Sequence, residues 1–107
     1  MEHEVRKEGR FTVLMLKGNV DMAQSPHARK LILEHLQQNR PMLVELSGVT
    51  YMDSSGVASL VEGLQLAKKR KLDFALAGPS QSVMNVLGLA RLDRVFTIHN
   101  TLEDALA

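Results

Sequence analysis

The chain lacks several residue types, and each absence excludes a class of chemistry. It contains no cysteine, so disulfides, thiolate catalysis and cysteine-ligated zinc or iron–sulfur centres are excluded. It has no tryptophan and only 4% aromatic residues, so leucine, valine, alanine and methionine must fill its core. No apolar run approaches the roughly 20 residues that span a bilayer, which argues against direct membrane insertion. The first four residues are polar and acidic rather than a signal peptide, so a cytoplasmic location is expected.

Charge of one sign is not in excess either. Thirteen basic residues face 12 acidic ones, which gives a formal net charge of +1. This balance argues against a nucleic-acid-binding arm and against a polybasic membrane anchor, because both need concentrated charge. The run Lys68-Lys69-Arg70-Lys71 is interpreted as cations placed favourably at the C-terminal end of a helix. No nucleic-acid partner is therefore expected.

Motifs for catalysis and for cofactor binding are also missing. The histidines, which are His3, His27, His35 and His99, show no metal-binding spacing. Ser54 and Ser55 lie outside a Gly-x-Ser-x-Gly elbow. Neither a Gly-x-x-x-x-Gly-Lys-[Ser/Thr] phosphate loop nor a Gly-x-Gly-x-x-Gly fingerprint is present. The sequence therefore predicts a protein that is not an enzyme and has no cofactor.

Strands and helices alternate along the 107 residues, which are enough for a single domain spanning 1–107. Strands are predicted at 5–10, 11–16, 42–46, 73–77 and 95–98. Helices are predicted at 25–38, 54–70, around 83–87 and at 102–106. This order predicts an α/β fold with a small, mixed, mainly parallel sheet of about five strands and about four helices packed on it.

Turn and cap residues set the predicted boundaries. Lys17-Gly18-Asn19 is predicted to end the second strand, and Ser47-Gly48 is predicted to bend the chain after the third. Ser25 is predicted to be the N-cap of the first helix, with Pro26 at the first helical position. The predicted N-caps of the last two helices are Ser80 and Thr101.

The stretch 52–64 joins the end of an apolar run to an amphipathic helix. Asp53, Ser54 and Ser55 precede its apolar face, and such residues cap helix starts. Gly56 has no side chain, so we expect that another group can approach the helix start closely. The commoner meaning of these residues is a well-capped helix. The alternative is a phosphorylated serine, because a helix N-terminus accommodates a phosphate. The residues alone do not distinguish Ser54 from Ser55.

Three segments carry a family resemblance that covers nearly the whole chain. Gly18-Asn19-Val20-Asp21 follows the second strand, and the segment from Glu45 to Val57 runs from a strand into a helix through Asp53-Ser54-Ser55-Gly56. Gly78-Pro79-Ser80 precedes the third helix. Together they resemble the STAS domain, and specifically the bacterial anti-sigma factor antagonists. The family often has Gly-Glu-Leu-Asp at the first segment, where this chain keeps Asp21.

The resemblance implies the STAS fold and a partner switch controlled by phosphorylation. In the family, the serine directly after the Asp is phosphorylated by a partner that is both a serine kinase and an anti-sigma factor. This kinase belongs to the histidine-kinase-like ATPase superfamily, and it is the kinase that binds ATP and Mg²⁺. A serine phosphatase resets the switch. The matching residue is Ser54, with Ser55 as the second candidate. The implied partner-binding residues are Asp21, Asp53, Ser54, Ser55 and Gly56.

A second hypothesis keeps the fold but gives the serine no switching role. STAS domains also serve as scaffold regulators and as small subunits of lipid-transporting ABC complexes. In that case Ser54 is only a structural cap, and the following helix binds a transporter ATPase. The intact Asp-Ser-Ser-Gly segment favours the phosphorylation switch.

Overall fold

A computed structural model describes residues 1–107 and confirms the alternation of strands and helices. The strands are β1 (Glu2–Glu8), β2 (Phe11–Val20), β3 (Met42–Met52), β4 (Phe74–Ala77) and β5 (Thr97–His99). The helices are α1 (Ser25–Leu36), α2 (Ser54–Lys69), α3 (Gln81–Leu89) and α4 (Leu102–Leu106). None of the helices combines the length and the hydropathy needed to cross a bilayer.

The strands form one sheet in chain order, β1-β2-β3-β4-β5. β1 is antiparallel to β2, and every other pair is parallel, which confirms the predicted mixed, mainly parallel sheet. Each parallel connection returns through a helix, and α1, α2 and α3 share one buried cluster with the same face of the sheet. Their N-terminal ends therefore lie together where the parallel strands end, which we call the carboxyl edge. Their C-terminal ends lie at the opposite, amino edge.

The main core lies between these three helices and the sheet. Leu14, Val44 and Leu76 from the three central strands are completely buried there. Side chains of this size stabilise the fold by about 1.5–3 kcal/mol each when they leave water. α2 packs closely on its neighbours because a Cβ at Gly63 would lie only 2.6 Å from Ile32 Cγ2. This packing fixes the first turn of α2 relative to the carboxyl edge.

The second face of the sheet is covered more thinly. Val13, Leu43 and Ala75 form a small cluster there, and Leu102 and Ala105 of α4 pack against it. Leu43 and Val44 point to opposite faces and are both buried. This part of β3 is therefore covered on both faces, as suits its largely apolar residues.

Two glycine-containing segments do not interrupt the sheet as predicted. The prediction that Lys17-Gly18-Asn19 ends β2 is wrong, because the strand continues to Val20 with irregular pairing on both sides of 17–18. Gly18 has a φ of +88°, which glycine adopts readily. β3 likewise continues past Gly48, where a Cβ would lie 2.8 Å from Lys17 Cγ. The two glycines lie at one shared irregularity, which bends both strands without ending them.

The start of α1 also differs from the prediction. Gln24 is the N-cap, and Ser25 and Pro26 are the first two helical residues, so the assignment of Ser25 as the cap is wrong. Asp21 instead supplies the side-chain hydrogen bonds just before the helix. Its Oδ1 accepts hydrogen bonds from the backbone N–H groups of Ala23 and Gln24, each at 3.1 Å. The chain has already turned before Ser25, which is buried.

The caps of the later helices are confirmed. Ser80 Oγ accepts a hydrogen bond from Val83 N at 3.4 Å, and Thr101 Oγ1 accepts one from Asp104 N at 3.0 Å. The outer strands are displaced from their predicted positions. β1 covers residues 2–8 instead of 5–10, and β5 begins two residues later than predicted.

Candidate functional site

Asp53 joins two loops at the carboxyl edge. Its extended backbone makes it the N-cap of α2, as the sequence predicts. Oδ1 accepts hydrogen bonds from Ser55 N at 2.9 Å and from Gly56 N at 3.3 Å. Oδ2 accepts a hydrogen bond from Met22 N, in the loop between β2 and α1, at 3.1 Å. One carboxylate therefore holds the start of α2 and the neighbouring loop in a fixed relative position.

The same hydrogen bonds favour the ionised form of Asp53. The Ser55 hydroxyl, which donates to the carboxylate, lowers the pKa of Asp53 below its ordinary value of 3.8. Partial burial opposes this shift, and the backbone N–H groups of Gly56, Ser55 and Met22 reinforce it. Asp53 is therefore a fixed negative charge at neutral pH, located at the positive end of the α2 dipole.

The two candidate serines have different surroundings. Ser55 is half-buried, and its hydroxyl donates a hydrogen bond to Asp53 Oδ1. Ser54 is exposed on the first turn of α2, and its hydroxyl makes no hydrogen bond within the protein. Only Ser54 thus offers a free hydroxyl to an approaching molecule. The sequence alone left these two residues equivalent.

Gly56 faces inward. It is buried, and a Cβ there would lie 2.6 Å from the carbonyl oxygen of Val20 and 2.7 Å from Met52 Cγ. The expected close approach at this glycine is therefore made by the protein's own β2 and β3. Gly56 shapes the site from within, by letting α2 begin directly against the strand ends.

The structure brings Asp21 to the same edge. Its carboxylate is already engaged with the N–H groups of its own loop. The next residue, Met22, is hydrogen-bonded to Asp53 through its backbone, and its side chain is 77% exposed. Sequence reasoning missed Met22 as part of the site. The available signal was topological, since loops that follow adjacent parallel strands meet at one edge of a sheet.

Ser59 is a second residue that sequence reasoning missed. It is buried within α2, and its hydroxyl lies 3.1 Å from the carbonyl oxygen of Ser25 and 3.2 Å from that of Ser55. It thereby ties the first turn of α2 to the start of α1. A hydroxyl at a helical position between the apolar Val57 and Leu60 was the available signal.

The chemistry at the carboxyl edge is limited to hydrogen bonding and charge. No histidine or other base is hydrogen-bonded to Ser54, so nothing in this chain activates its hydroxyl as a nucleophile. No group of three or more His, Asp or Glu side chains is arranged to hold a metal ion. What the edge presents is an exposed hydroxyl at a helix start, flanked by two carboxylates and one exposed methionine.

Residues 2–105 match the family model of the STAS domain. The chain belongs to the STAS domain family. The resemblance inferred from the three sequence segments is thereby confirmed, and the five-stranded sheet with four helices is the STAS fold.

This STAS domain is 34% identical over 65 residues to a protein from Thermotoga neapolitana. That protein's name describes it as an anti-sigma factor antagonist and a TM1081 homolog. The match covers 61% of this chain and 58% of that protein, so the chain spans somewhat more than half of that relative's length.

Solved structures share the fold over almost the whole chain. An anti-sigma-factor antagonist (STAS) domain protein from Planctomyces limnophilus is 26% identical, with a TM-score of 0.87 over 97% of this chain and 94% of that one. The anti-sigma factor antagonist SpoIIAA in its unphosphorylated form is 21% identical, with a TM-score of 0.83 over 98% and 93%. The Bacillus SpoIIAA in its phosphorylated form is 20% identical, with a TM-score of 0.77 over 98% and 96%.

Proposed function

We propose that this STAS domain is an anti-sigma factor antagonist of the bacterial cytoplasm and acts as a partner switch, not as an enzyme. Its unphosphorylated form binds a serine kinase of the histidine-kinase-like ATPase superfamily that is also an anti-sigma factor. Phosphorylation of Ser54 releases that partner, and a serine phosphatase resets the switch. One observation carries the proposal: the Ser54 hydroxyl is exposed and free, whereas the Ser55 hydroxyl is bound to Asp53.

The fold itself tolerates a phosphate on Ser54. The residue is the first of α2, so the phosphate would lie at the positive end of a 16-residue helix. The side chain is exposed, so no buried contact has to break. Phosphorylation therefore changes the surface seen by a partner more than it changes the domain.

Release follows from charge and desolvation at the interface. Phosphoryl transfer requires the γ-phosphate of the kinase-bound ATP to lie beside the Ser54 hydroxyl. After transfer, the phosphoserine lies between the remaining diphosphate and the ionised Asp53, with water excluded by the partner. A penalty of about 3 kcal/mol at this contact would weaken binding more than a hundredfold.

The relatives support this proposal. SpoIIAA, which shares the fold, exists in a phosphorylated and an unphosphorylated form. The similar proteins from Thermotoga neapolitana and Planctomyces limnophilus carry the name anti-sigma factor antagonist. An anti-sigma factor is accordingly the partner that the proposal assigns to the carboxyl edge.

A pull-down with matched baits tests the proposal. Wild type, Ser54→Ala, Ser54→Asp and the control Ser55→Ala are used as baits in extracts of the native cytoplasm and membranes, and bound proteins are identified by mass spectrometry. We expect a kinase-like ATPase to bind wild type and both alanine variants and to be lost from Ser54→Asp. The recovered ATPase, supplied with ATP and Mg²⁺, should then phosphorylate wild type at Ser54 and leave Ser54→Ala unmodified.

Two outcomes would contradict the proposal. A transporter ATPase held equally by all four baits would mean that Ser54 has no switching role and that the chain is a subunit of a transport complex. Phosphate found on Ser55 instead of Ser54 would mean that the hydrogen bond from Ser55 to Asp53 does not protect it.

A further inference from the structure

The amino edge, opposite Ser54, carries a dense group of exposed cations. The formal charge of +1 for the whole chain conceals this concentration. Two carboxylates lie among the cations, of which Asp73 already accepts a hydrogen bond from Arg10 at 2.9 Å and Asp93 is exposed. We call the following residues the basic patch: Lys68, Lys69, Arg70, Lys71, Arg91 and Arg94, with the exposed aliphatic residues Leu89 and Val95.

The basic patch comes from separate segments that the fold brings to the same edge. β4 and β5 are adjacent and parallel, with Ala75 paired to Thr97. The loops that precede these strands, at 71–73 and 93–95, therefore run side by side. The Phe74 and Phe96 rings at their ends are 6.5 Å apart, which holds the two loops together.

Two of these cations occupy positions where glycine would suit the backbone better. Lys71 and Arg91 have φ values of +59° and +60°, directly after α2 and α3. The hydrogen bonds from Leu72 N to Ala67 O and from Leu92 N to Leu87 O, both 2.8 Å, complete the motif that usually places glycine there. Beyond the end of α1, Asn39 has a φ of +60°, and asparagine tolerates this conformation.

Ending the helices does not account for these two side chains. Lys68 and Lys69 already place cations in the last turn of α2, where they interact favourably with the helix dipole, which confirms that part of the sequence interpretation. Lys71 and Arg91 lie beyond the helix ends in a conformation unfavourable for side chains. Both side chains are exposed, so their charges are available to contact another surface.

Leu89 and Val95 indicate what that surface meets. Leu89 is 87% exposed and Val95 is 50% exposed, among the most exposed large apolar side chains of the protein. The basic patch has no aromatic side chain on which a nucleic-acid base could stack. Cations that surround protruding aliphatic groups match an anionic lipid surface. The lipid phosphate groups can bind the cations, and the acyl chains can contact the aliphatic side chains.

We propose that the basic patch docks this protein onto anionic phospholipid membranes. The cations contact the headgroups, while Leu89 and Val95 enter the headgroup layer without crossing it. The carboxyl edge with Ser54 lies at the opposite ends of the parallel strands, so it then faces away from the lipid and stays open to other proteins. This proposal goes beyond the switch function and does not depend on it.

Vesicle co-sedimentation with the full chain tests the proposal. Wild type should bind vesicles of phosphatidylcholine and phosphatidylserine at low salt, should dissociate at high salt, and should ignore vesicles of phosphatidylcholine alone. Lys71→Gly with Arg91→Gly should weaken binding about 30-fold, while thermal stability is unchanged or rises because glycine fits both positions. Leu89→Ser should weaken binding about tenfold. Met22→Ser, at the opposite edge, is the matched control and should bind like wild type.

Three results would overturn the proposal. The first is absence of binding to anionic vesicles, or equal binding to neutral ones. The second is a double glycine variant that binds like wild type, which would mean that Lys71 and Arg91 do not contact the headgroups. The third is competition by duplex DNA at equal phosphate concentration that displaces the protein from the vesicles completely, which would make the patch a general polyanion site.

Discussion

The starts of α2 and α3 are similar in sequence but differ in structure. Each helix has a polar N-cap and an exposed serine in its first turn, Ser54 in α2 and Ser82 in α3. At α3 the cap is a single hydroxyl, which accepts one long hydrogen bond from its own helix. At α2 the cap is a carboxylate that binds its own helix, the neighbouring serine and the adjacent loop.

An exposed serine at a helix start is therefore not enough to single out a site, and the proposed switch at α2 rests on more than Ser54. What distinguishes α2 is the ionised Asp53 beside the free hydroxyl, together with a neighbouring loop that Asp53 holds in place. α3 has a cap that serves α3 alone. Each of the four predictions below changes one start and uses the other, or a neighbouring residue, as its reference.

The largest expected effect is on partner binding. Ser54→Asp should weaken binding of the kinase-like partner more than a hundredfold, because the added charge lies at the proposed interface beside Asp53. Ser82→Asp adds the same charge to the first turn of α3 and should leave binding within twofold of wild type. Titration calorimetry with the recovered ATPase measures both. Equal losses in the two variants would mean that charge anywhere on the carboxyl edge controls the partner.

The second prediction compares two helical glycines. Gly56→Ala should lower the free energy of unfolding by about 1–3 kcal/mol, because the added methyl group would press on Val20 and Met52. Gly88→Ala in α3 meets no atom within 4 Å and should raise it by up to about 1 kcal/mol. Urea unfolding followed by circular dichroism measures both values. A stable Gly56→Ala variant would show that α2 can shift away from β2.

The third prediction concerns the dependence of stability on pH. Because its hydrogen bonds lower the folded-state pKa of Asp53, ionised Asp53 stabilises the fold above pH 3.8, and this contribution is lost as the pH falls through the lowered value. Asp53→Asn should therefore be less stable than wild type at neutral pH, with a difference that shrinks in acid. Ser80→Ala should cost about 1 kcal/mol at every pH, because its cap is uncharged. Thermal unfolding from pH 2 to pH 7 distinguishes the two, and a constant difference for Asp53→Asn would contradict the assignment.

The smallest expected effect is on the pKa of Asp53 itself. Ser55→Ala removes the hydroxyl that contributes most to the lowering, so the pKa of Asp53 should rise toward its ordinary value. Ser54→Ala should leave it unchanged, because Ser54 makes no hydrogen bond to Asp53. NMR titration of the Asp53 carboxyl resonance measures both variants. A shift in Ser54→Ala as well would mean that the two hydroxyls exchange places on the carboxylate.

Features with a local physical cause could be predicted from the sequence. Asp53, Ser80 and Thr101 cap helices through bonds to N–H groups two or three residues away, and those bonds depend only on the nearby chain. The alternation of strands and helices follows in the same way from local apolar patterns. Asp53, Ser54 and Ser55 were therefore placed correctly at the start of α2.

Features that depend on distant residues could not be predicted. Gly18 and Gly48 look like strand ends in the sequence, but Gly48 makes room for Lys17 of β2, Gly18 adopts a positive φ, and the sheet continues. Ser25 is a residue type that commonly caps helices, but the hydrogen bonds of Asp21 turn the chain before it reaches Ser25. The free hydroxyl of Ser54 and the inward orientation of Gly56 depend on where Asp53, Val20 and Met52 lie in space, which the residue order does not encode locally.

The hydrogen bonds of Asp53 to both the start of α2 and the β2–α1 loop also have a kinetic consequence. Since the β2–α1 loop is already fastened to the start of α2, an arriving partner does not wait for a loop to fold over it. In the proposed switch, complex formation is then governed by the frequency of correctly oriented collisions, and the proposed phosphorylation of Ser54 acts mainly on the lifetime of the complex. Under that proposal, the carboxyl edge suits a signal that is controlled in its duration rather than in its onset.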